Sequence, residues 1–152
     1  MRKDVRHLAA AAFALFSGAC GGGNNEDEPG AKALLANVQA QSYRSWQRAP
    51  GWETRQPTVS VHGQTADIFV NEVLSSALST QGLGAWPVGA VLVKDAYRGG
   101  DLSLIAIMEK RDSGWFFAEF SANEEVKYSG QPDVCLGCHQ AATDSVLSVG
   151  LP

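Results

Sequence analysis

Two cysteines and one histidine stand together near the end of the chain, in the order Cys135-Leu136-Gly137-Cys138-His139. Two thiols that are separated by two residues can reach the two vinyl groups of one porphyrin, and the histidine that follows can place its imidazole on the iron. The glycine between them keeps a side chain away from the point where the backbone meets the macrocycle. The pattern therefore predicts one covalently attached haem c, with thioethers at both cysteines and His139 as the axial metal ligand.

Three other uses of the same residues have less support. A disulfide between Cys135 and Cys138 would close a small strained loop and would leave the neighbouring histidine unexplained. A thioredoxin-like redox pair normally follows a strand and opens a helix in a βαβ unit, and that context is missing here. A zinc site needs about four ligands. With Cys20 far away in the sequence, His62 is the one candidate that could complete such a set.

The sixth ligand of the iron decides whether the haem binds small molecules or passes electrons. The residues after His139 include neither methionine nor histidine. Methionine occurs only at Met1 and Met108, so a His/Met iron would have to use Met108, and a bis-histidine iron would have to use His62. Both arrangements remain open, and an open sixth position is the simpler interpretation.

The beginning of the chain has the composition of an export signal. Three basic residues precede an apolar run over residues 8–19, which is too short to span a bilayer. Small residues then lead to Cys20, an arrangement that resembles the lipobox of bacterial lipoproteins, with Ser17 where leucine is usual. We therefore expect residues 1–19 to be a signal peptide and Cys20 to be lipidated. The protein would then lie on the periplasmic side of a bacterial membrane, held only by its lipid, with a soluble periplasmic or secreted form as the alternative.

The mature chain is predicted to be a tether followed by one domain. Residues 20–30 are rich in glycine, asparagine and acids and form a flexible linker, because they cannot bury enough apolar surface to offset the entropy of ordering. Residues 31–152 remain as one folded haem c domain. The formal net charge is −4 and becomes more negative when the basic signal segment is removed. This acidic balance excludes nucleic acid as a partner and suits a basic redox partner protein.

Periodicity predicts an α+β fold for this domain. Short loops between the later strands favour an antiparallel meander, since parallel strands would need long crossover connections. We expect an antiparallel β-sheet with flanking helices packed on one face, followed by the C-terminal CxxCH haem segment. The predicted elements are a helix over 31–48, strands over 58–61 and 66–70, a short helix capped by Asn71, and strands over 88–97, 102–109 and 115–120.

The order of these pieces resembles the cytochrome P-460 family, which is related to the β-sheet cytochromes c prime. The resemblance covers roughly residues 43–147. The pieces that carry it are Tyr43-x-x-Trp46, His62-Gly63 before a strand ending in Asn71, Trp86-Pro87-Val88-Gly89-Ala90-Val91 with Lys94-Asp95, Met108-Glu109-Lys110, Gly114-Trp115, and the CxxCH motif.

This resemblance implies a small antiparallel-sheet domain, often a homodimer, with a five-coordinate haem c. In one branch of the family a lysine is cross-linked to the porphyrin, and the haem oxidises hydroxylamine or related nitrogen compounds. In the other branch the cross-link is absent, the distal pocket is aromatic, and the haem binds nitric oxide or carbon monoxide. A periplasmic oxidoreductase, a gas-binding protein and an electron-transfer cytochrome are therefore the three hypotheses.

Lys94 is our candidate for the cross-linking lysine, ahead of Lys110 and Lys127. Its strand position shares a face with two apolar residues, Ala90 and Leu92, which is an unusual place for a charge. The alternative is a lysine that protects a sheet edge from aggregation. Lys110 stands beside an arginine at a turn, and we expect it to face water.

The distal side of the haem has several candidates. Hydroxylamine oxidation must release protons, so a carboxylate at Glu109 or Glu119 would favour catalysis. His62 is interpreted as a turn residue, with distal ligation as the alternative. An aromatic group could instead line an apolar gas pocket, or simply form core, which is the more common role. Its members are Trp115, Phe116, Phe117 and Phe120.

Overall fold

An antiparallel seven-stranded sheet organises the computed structural model, which describes residues 25–152. The expected signal peptide and the lipidation site at Cys20 lie outside the described residues. Strand order is β1-β3-β4-β5-β6-β7, and β2 also pairs with β3. The strands are β1 (Gln47–Arg48), β2 (Gln56–Ser60), β3 (Gly63–Val70), β4 (Val91–Arg98), β5 (Asp101–Arg111), β6 (Gly114–Ser121) and β7 (Val126–Gly130). The helices are α1 (Glu28–Ala40), α2 (Glu72–Ala77) and α3 (Asp133–His139).

Both faces of the sheet are buried. In β4, Val91 and Val93 point toward α1, whereas Leu92 points to the opposite face, as the two-residue period of a strand requires. The second face is covered by α2, by Trp86 and by the C-terminal segment. The expectation that the helices pack on one face is therefore wrong. Because nearly every residue of β4 is buried, the strand lacks the alternation of apolar and polar residues that marks a sheet with one buried face.

Helix α1 begins earlier and ends earlier than predicted. The Asp27 side chain accepts a hydrogen bond of 2.9 Å from the Gly30 N–H, which caps the first turn. The Glu26 N–H also donates to the Ser129 carbonyl at 3.0 Å, so residues 25–30 of the expected linker belong to the fold. The helix ends at Ala40, and the chain then turns through a 3₁₀ segment, Tyr43–Ser45, into β1. Pairing of β1 with β3 overrides the helical periodicity that extended to residue 48.

The central strands agree closely with the prediction, and so does the cap at Asn71, whose side chain accepts from the Leu74 N–H at 3.1 Å. Strand β4 starts at Val91 rather than at residue 88, because residues 87–90 form a turn in which Gly89 adopts φ +87°. Strands β1 and β7 were not predicted. None of the helices within residues 25–152 has the length and apolarity needed to cross a membrane.

Candidate haem site

A cavity of about 340 Å³ opens on the face of the sheet opposite α1. This volume lies in the range of about 300–1,000 Å³ that is typical of small-molecule sites. Strands β4, β5 and β6 contribute its floor, and the β2–β3 hairpin, α3 and the C-terminal segment contribute its walls. Most of its lining is apolar. The lining side chains that can do chemistry are His62, Lys94, Glu119, Cys135 and His139.

Helix α3 brings Cys135 and His139 of the cysteine–histidine motif to this cavity. Residues three and four apart lie on one face of a helix, so Cys135, Cys138 and His139 share a face. Cys135 is half-buried and lines the cavity, while Cys138 is exposed, and both are free thiols. Burial raises the pKa of Cys135 to about 11, so its sulfur is protonated at neutral pH. The disulfide considered from the sequence is thus not formed in this structure.

His139 is held with one ring nitrogen free. Its Nδ1 lies 2.8 Å from the Ser145 carbonyl, which can only accept, so Nδ1 carries the proton. Its ring also packs edge-to-face on Phe117, at 5.0 Å between centroids. Burial lowers the pKa of His139, the hydrogen bond to Ser145 raises it in part, and the Lys94 charge lowers it further. The result is a neutral imidazole with Nε2 available, which is the form that binds a metal.

The segment that supplies the Ser145 carbonyl is anchored by Asp144. The Asp144 carboxylate accepts from the Trp86 backbone N–H at 2.7 Å and from Lys110 Nζ at 2.5 Å. The Asp144 carbonyl accepts from the Trp115 indole at 2.7 Å. Lys110 is therefore paired and 14% exposed, and the expectation that it faces water is wrong. No sequence motif marked Asp144 or Ser145, because their role depends on a strand turn and two tryptophans that are distant along the chain.

Lys94 and Glu119 face each other across the floor of the cavity. In the register of the sheet, Lys94 on β4 and Glu119 on β6 both stand opposite Ala106 on β5. The small alanine leaves a depression between the two longer side chains. Burial lowers the pKa of Lys94, which Glu119 partly restores, and burial raises the pKa of Glu119, which Lys94 and Lys127 partly lower. Both groups are thus brought toward neutrality at the same site.

His62 lies at the turn between β2 and β3, as the sequence predicted, and its ring lines the cavity. Its side chain is 22% exposed, and its Nε2 lies 3.5 Å from a Glu119 carboxylate oxygen. The centroids of the His62 and His139 rings are 6.4 Å apart. Burial lowers the pKa of His62 to about 4, with smaller contributions from Lys94 and His139.

Several sequence candidates do not reach the cavity. Glu109 points to the α1 side of β5 and pairs with Arg111 at 2.6 Å, so Glu119 is the carboxylate that the structure brings to the site. Lys127 on β7 is half-exposed, with its Nζ 3.9 Å from a Glu125 oxygen. The four aromatic residues lie on different faces of the sheet. Phe117 lines the cavity, and Trp115 donates to the Asp144 carbonyl. The other two, Phe116 and Phe120, are core under α1.

Comparison with known proteins supplies one match. The family model described as Cytochrome P460 matches residues 40–147, which include the hairpin, the strands of the cavity floor and α3. Curated proteins gave no match to this chain.

Proposed function

The chain belongs to the cytochrome P460 family, and on that basis we propose that it binds and oxidises a small nitrogen compound, hydroxylamine or nitric oxide, at a single haem c. The observation that carries the proposal is the composition of the cavity. It collects a histidine with a free Nε2, the Cys135 thiol, and Lys94 and Glu119 on its floor. Simple electron transfer does not require Lys94 and Glu119 at the site.

The residues present fit a covalent haem. Cys135 and Cys138 would hold the porphyrin by thioethers, and His139 Nε2 would bind the iron. The largely apolar lining suits a macrocycle and keeps water away from its faces. The bound haem would supply the iron that binds the nitrogen compound and accepts its electrons. Everything else in the reaction falls to the side chains around it.

Glu119 is the group best suited to remove protons from the bound compound. A general base works best when its pKa lies near the operating pH, and burial raises the pKa of Glu119 from the ordinary range of a carboxyl. Its neighbour Lys94 supplies a balancing positive charge, which reduces the cost of an ionised Glu119 in an apolar cavity. Of the two glutamates that the sequence offered for this role, Glu119 lines the cavity and Glu109 does not.

Lys94 is also our candidate for the lysine that the catalytic branch of the family joins to the porphyrin. Among residues 25–152 it is the one lysine that lines the cavity, whereas Lys110 is paired with Asp144 and Lys127 lies at the sheet edge. Its lowered pKa increases the share of the uncharged amine, which is the nucleophilic form.

Binding of nitric oxide or carbon monoxide without oxidation is the second candidate. Phe117, Met108 and Leu92 give the cavity an apolar side that suits a diatomic gas. The two candidates differ in what they require of Lys94 and Glu119, because gas binding needs neither a proton acceptor nor a cross-link.

Hydroxylamine oxidation by the purified holoprotein tests the proposal, with an artificial electron acceptor under anaerobic conditions. We expect Glu119→Gln to lower the rate by about 10²–10⁴-fold, the usual contribution of general acid–base catalysis. Glu109→Gln is the matched control and should retain the wild-type rate. Equal rates for the two variants and the wild type would refute the role of Glu119. An absent reaction with intact nitric oxide binding would favour the second candidate.

The lysine–haem bond is tested separately by mass spectrometry of the digested holoprotein. The proposal predicts a peptide in which Lys94 is joined to the haem, lost in Lys94→Arg and retained in the control Lys127→Arg. A bond at another lysine, or none, would contradict the assignment.

We also propose that a lipid at Cys20 holds the domain on the periplasmic side of a bacterial membrane. The sequence of residues 1–20 supports this location. Cys20→Ser should move the haem protein from the membrane fraction to the soluble fraction. A wild-type protein that is already fully soluble would contradict the anchor.

A further inference from the structure

A strained turn follows helix α3. Asp144 has φ 46° and ψ 42°, and Ser145 has φ 63°, so two consecutive residues lie in the left-handed region. Other non-glycine residues within residues 25–152 that have positive φ, Ser42 and Glu124, stand singly. Aspartate tolerates this conformation better than most residues, whereas serine is not among the residues enriched there. Backbone strain of this kind persists only where the surrounding structure imposes it, and it is concentrated at functional sites.

Contacts to three separate parts of the fold hold the turn in this conformation. The Asp144 carboxylate accepts from the Trp86 backbone N–H, ahead of β4, and from Lys110 Nζ on β5. The Asp144 carbonyl accepts from the Trp115 indole on β6. Val146 follows the turn and is buried in the core on the same side of the sheet. The turn is therefore fixed by the sheet and not by the short helix that precedes it.

The turn directs the Ser145 carbonyl at the ring of His139. The carbonyl oxygen lies 2.8 Å from His139 Nδ1, although Ser145 comes only six residues later in the chain. A carbonyl rotates with its peptide plane, so an extended or right-handed backbone at the turn would point this oxygen away from the ring. The ring itself packs on Phe117, at 5.0 Å between centroids, and so has little freedom to follow a displaced carbonyl.

We infer that Asp144 is a positioning residue for the haem: it holds the Ser145 carbonyl on His139 Nδ1 and thereby strengthens the bond between His139 Nε2 and the iron. A carbonyl that accepts from Nδ1–H raises the basicity of the other ring nitrogen. A more basic ligand favours ferric over ferrous iron, so the hydrogen bond lowers the reduction potential. The inference rests on the proposed haem c with His139 as its axial ligand, but not on the choice of substrate.

Resonance Raman spectra and the reduction potential of the holoprotein test this role. In Asp144→Ala the turn loses its link to Trp86, and the carbonyl should leave His139. We expect the iron–histidine stretching band of the ferrous protein to move to lower frequency. The ferric–ferrous equilibrium should shift about tenfold toward the ferrous form, which is a rise of about 59 mV for a one-electron couple.

Asp144→Asn is the matched variant, because it loses the same charge but keeps an oxygen for the Trp86 N–H and the tolerance of the left-handed backbone. Its iron–histidine band should stay at the wild-type position, and its potential should rise by less than half of the rise in Asp144→Ala. Equal bands in the wild type and Asp144→Ala would overturn the inference. Equal band shifts in the two variants would overturn it as well, since the charge alone would then explain the effect.

Two substitutions of Ser145 test the turn without changing Asp144. Glycine adopts positive φ readily, so Ser145→Gly should keep the carbonyl in place and the band unchanged. Proline fixes φ near −65° and excludes the observed 63°, so Ser145→Pro should lower the band as Asp144→Ala does. The same band position in both variants would overturn the inference. Far-ultraviolet circular dichroism of each holoprotein checks that the sheet is retained.

The outcomes separate this inference from the proposed function. Lowered bands in Asp144→Ala and Ser145→Pro support the positioning role even if the wild type does not oxidise hydroxylamine, in which case only the proposed function fails. A wild type that oxidises hydroxylamine, together with one band position in all five proteins, overturns the positioning role and leaves the proposed function intact.

Discussion

Removal of the Asp144 carboxylate should destabilise the protein far more than its place in an irregular C-terminal segment suggests. Asp144 links the last residues of the chain to the rest of the fold through the Trp86 backbone N–H and the Lys110 ammonium. It also adopts φ 46°, a left-handed conformation that aspartate and asparagine tolerate better than alanine. Asp144→Ala therefore loses two interactions and gains backbone strain.

The expected magnitude follows from three contributions. A buried N–H left without an acceptor costs about 1–3 kcal/mol. Loss of one partner of a buried ion pair costs about 3–5 kcal/mol, but the Lys110 side chain is 14% exposed and can turn toward water, so a value of about 1–2 kcal/mol is appropriate here. The left-handed backbone adds about 1 kcal/mol for alanine. Together we expect Asp144→Ala to lower the free energy of unfolding by about 4 kcal/mol.

The matched variant is Asp144→Asn, which keeps an oxygen for the Trp86 N–H and the tolerance of the left-handed backbone but loses the charge. We expect it to cost about 1–2 kcal/mol. Urea unfolding of the holoproteins, followed by far-ultraviolet circular dichroism, measures both values. In a Lys110→Met background, Asp144→Ala should cost about 1–2 kcal/mol less, because the ion pair is already absent. A cost below ~1 kcal/mol for Asp144→Ala, or the same cost in both backgrounds, would refute the anchoring role.

Three further predictions follow from the sheet and the cavity. Burial raises the pKa of Asp67 but hydrogen bonds from two arginines lower it below 3.8. The contribution of the Asp67 carboxylate to stability is therefore present above this pH and lost as the pH falls through the folded-state pKa. In unfolding experiments at pH 3, 5 and 7, the loss of unfolding free energy in Asp67→Asn should be smallest at pH 3. A loss that does not depend on pH would contradict this sign. In haem-free protein at pH 8, iodoacetamide should modify the exposed Cys138 before Cys135, because burial raises the pKa of Cys135 to about 11. Mass spectrometry of timed samples measures the order of labelling, and faster labelling of Cys135 would contradict its burial. Ala106→Leu should fill the depression in the cavity floor and lower haem incorporation or carbon monoxide binding at least tenfold. The control is Lys127→Leu, a substitution of the same kind at the sheet edge. Full incorporation and unchanged binding in Ala106→Leu would show that the haem lies elsewhere.

The sequence predicted the parts of the site that depend on local spacing. Helical geometry places Cys135, Cys138 and His139 on one face whatever the rest of the chain does, so the motif could be interpreted from three residues. Strands β5 and β6 were found because short turns bound them and their apolar content is high. The Asn71 cap is likewise a local interaction between residues three apart.

Strand pairing determined what the sequence could not. Glu109 and Glu119 both lie on buried strands, and both faces of the sheet are apolar, so no polar face indicated which glutamate reaches the cavity. Only the register, with Glu119 opposite Ala106, decides it. Strand β1 lies where the sequence predicts helix, because its pairing partner on β3 is distant along the chain. The anchor at Asp144 depends on the same kind of long-range contact.

Covalent attachment of haem by Cys135 and Cys138 is the central claim, and the intact mass of the mature holoprotein after acid–acetone extraction tests it most directly. The protein should be expressed with the c-type maturation machinery. We predict that the chain retains the mass of one haem after extraction, and that Cys138→Ala leaves at most one thioether. A chain without haem, a haem that acid–acetone removes from the wild type, or two intact thioethers in Cys138→Ala would contradict the account.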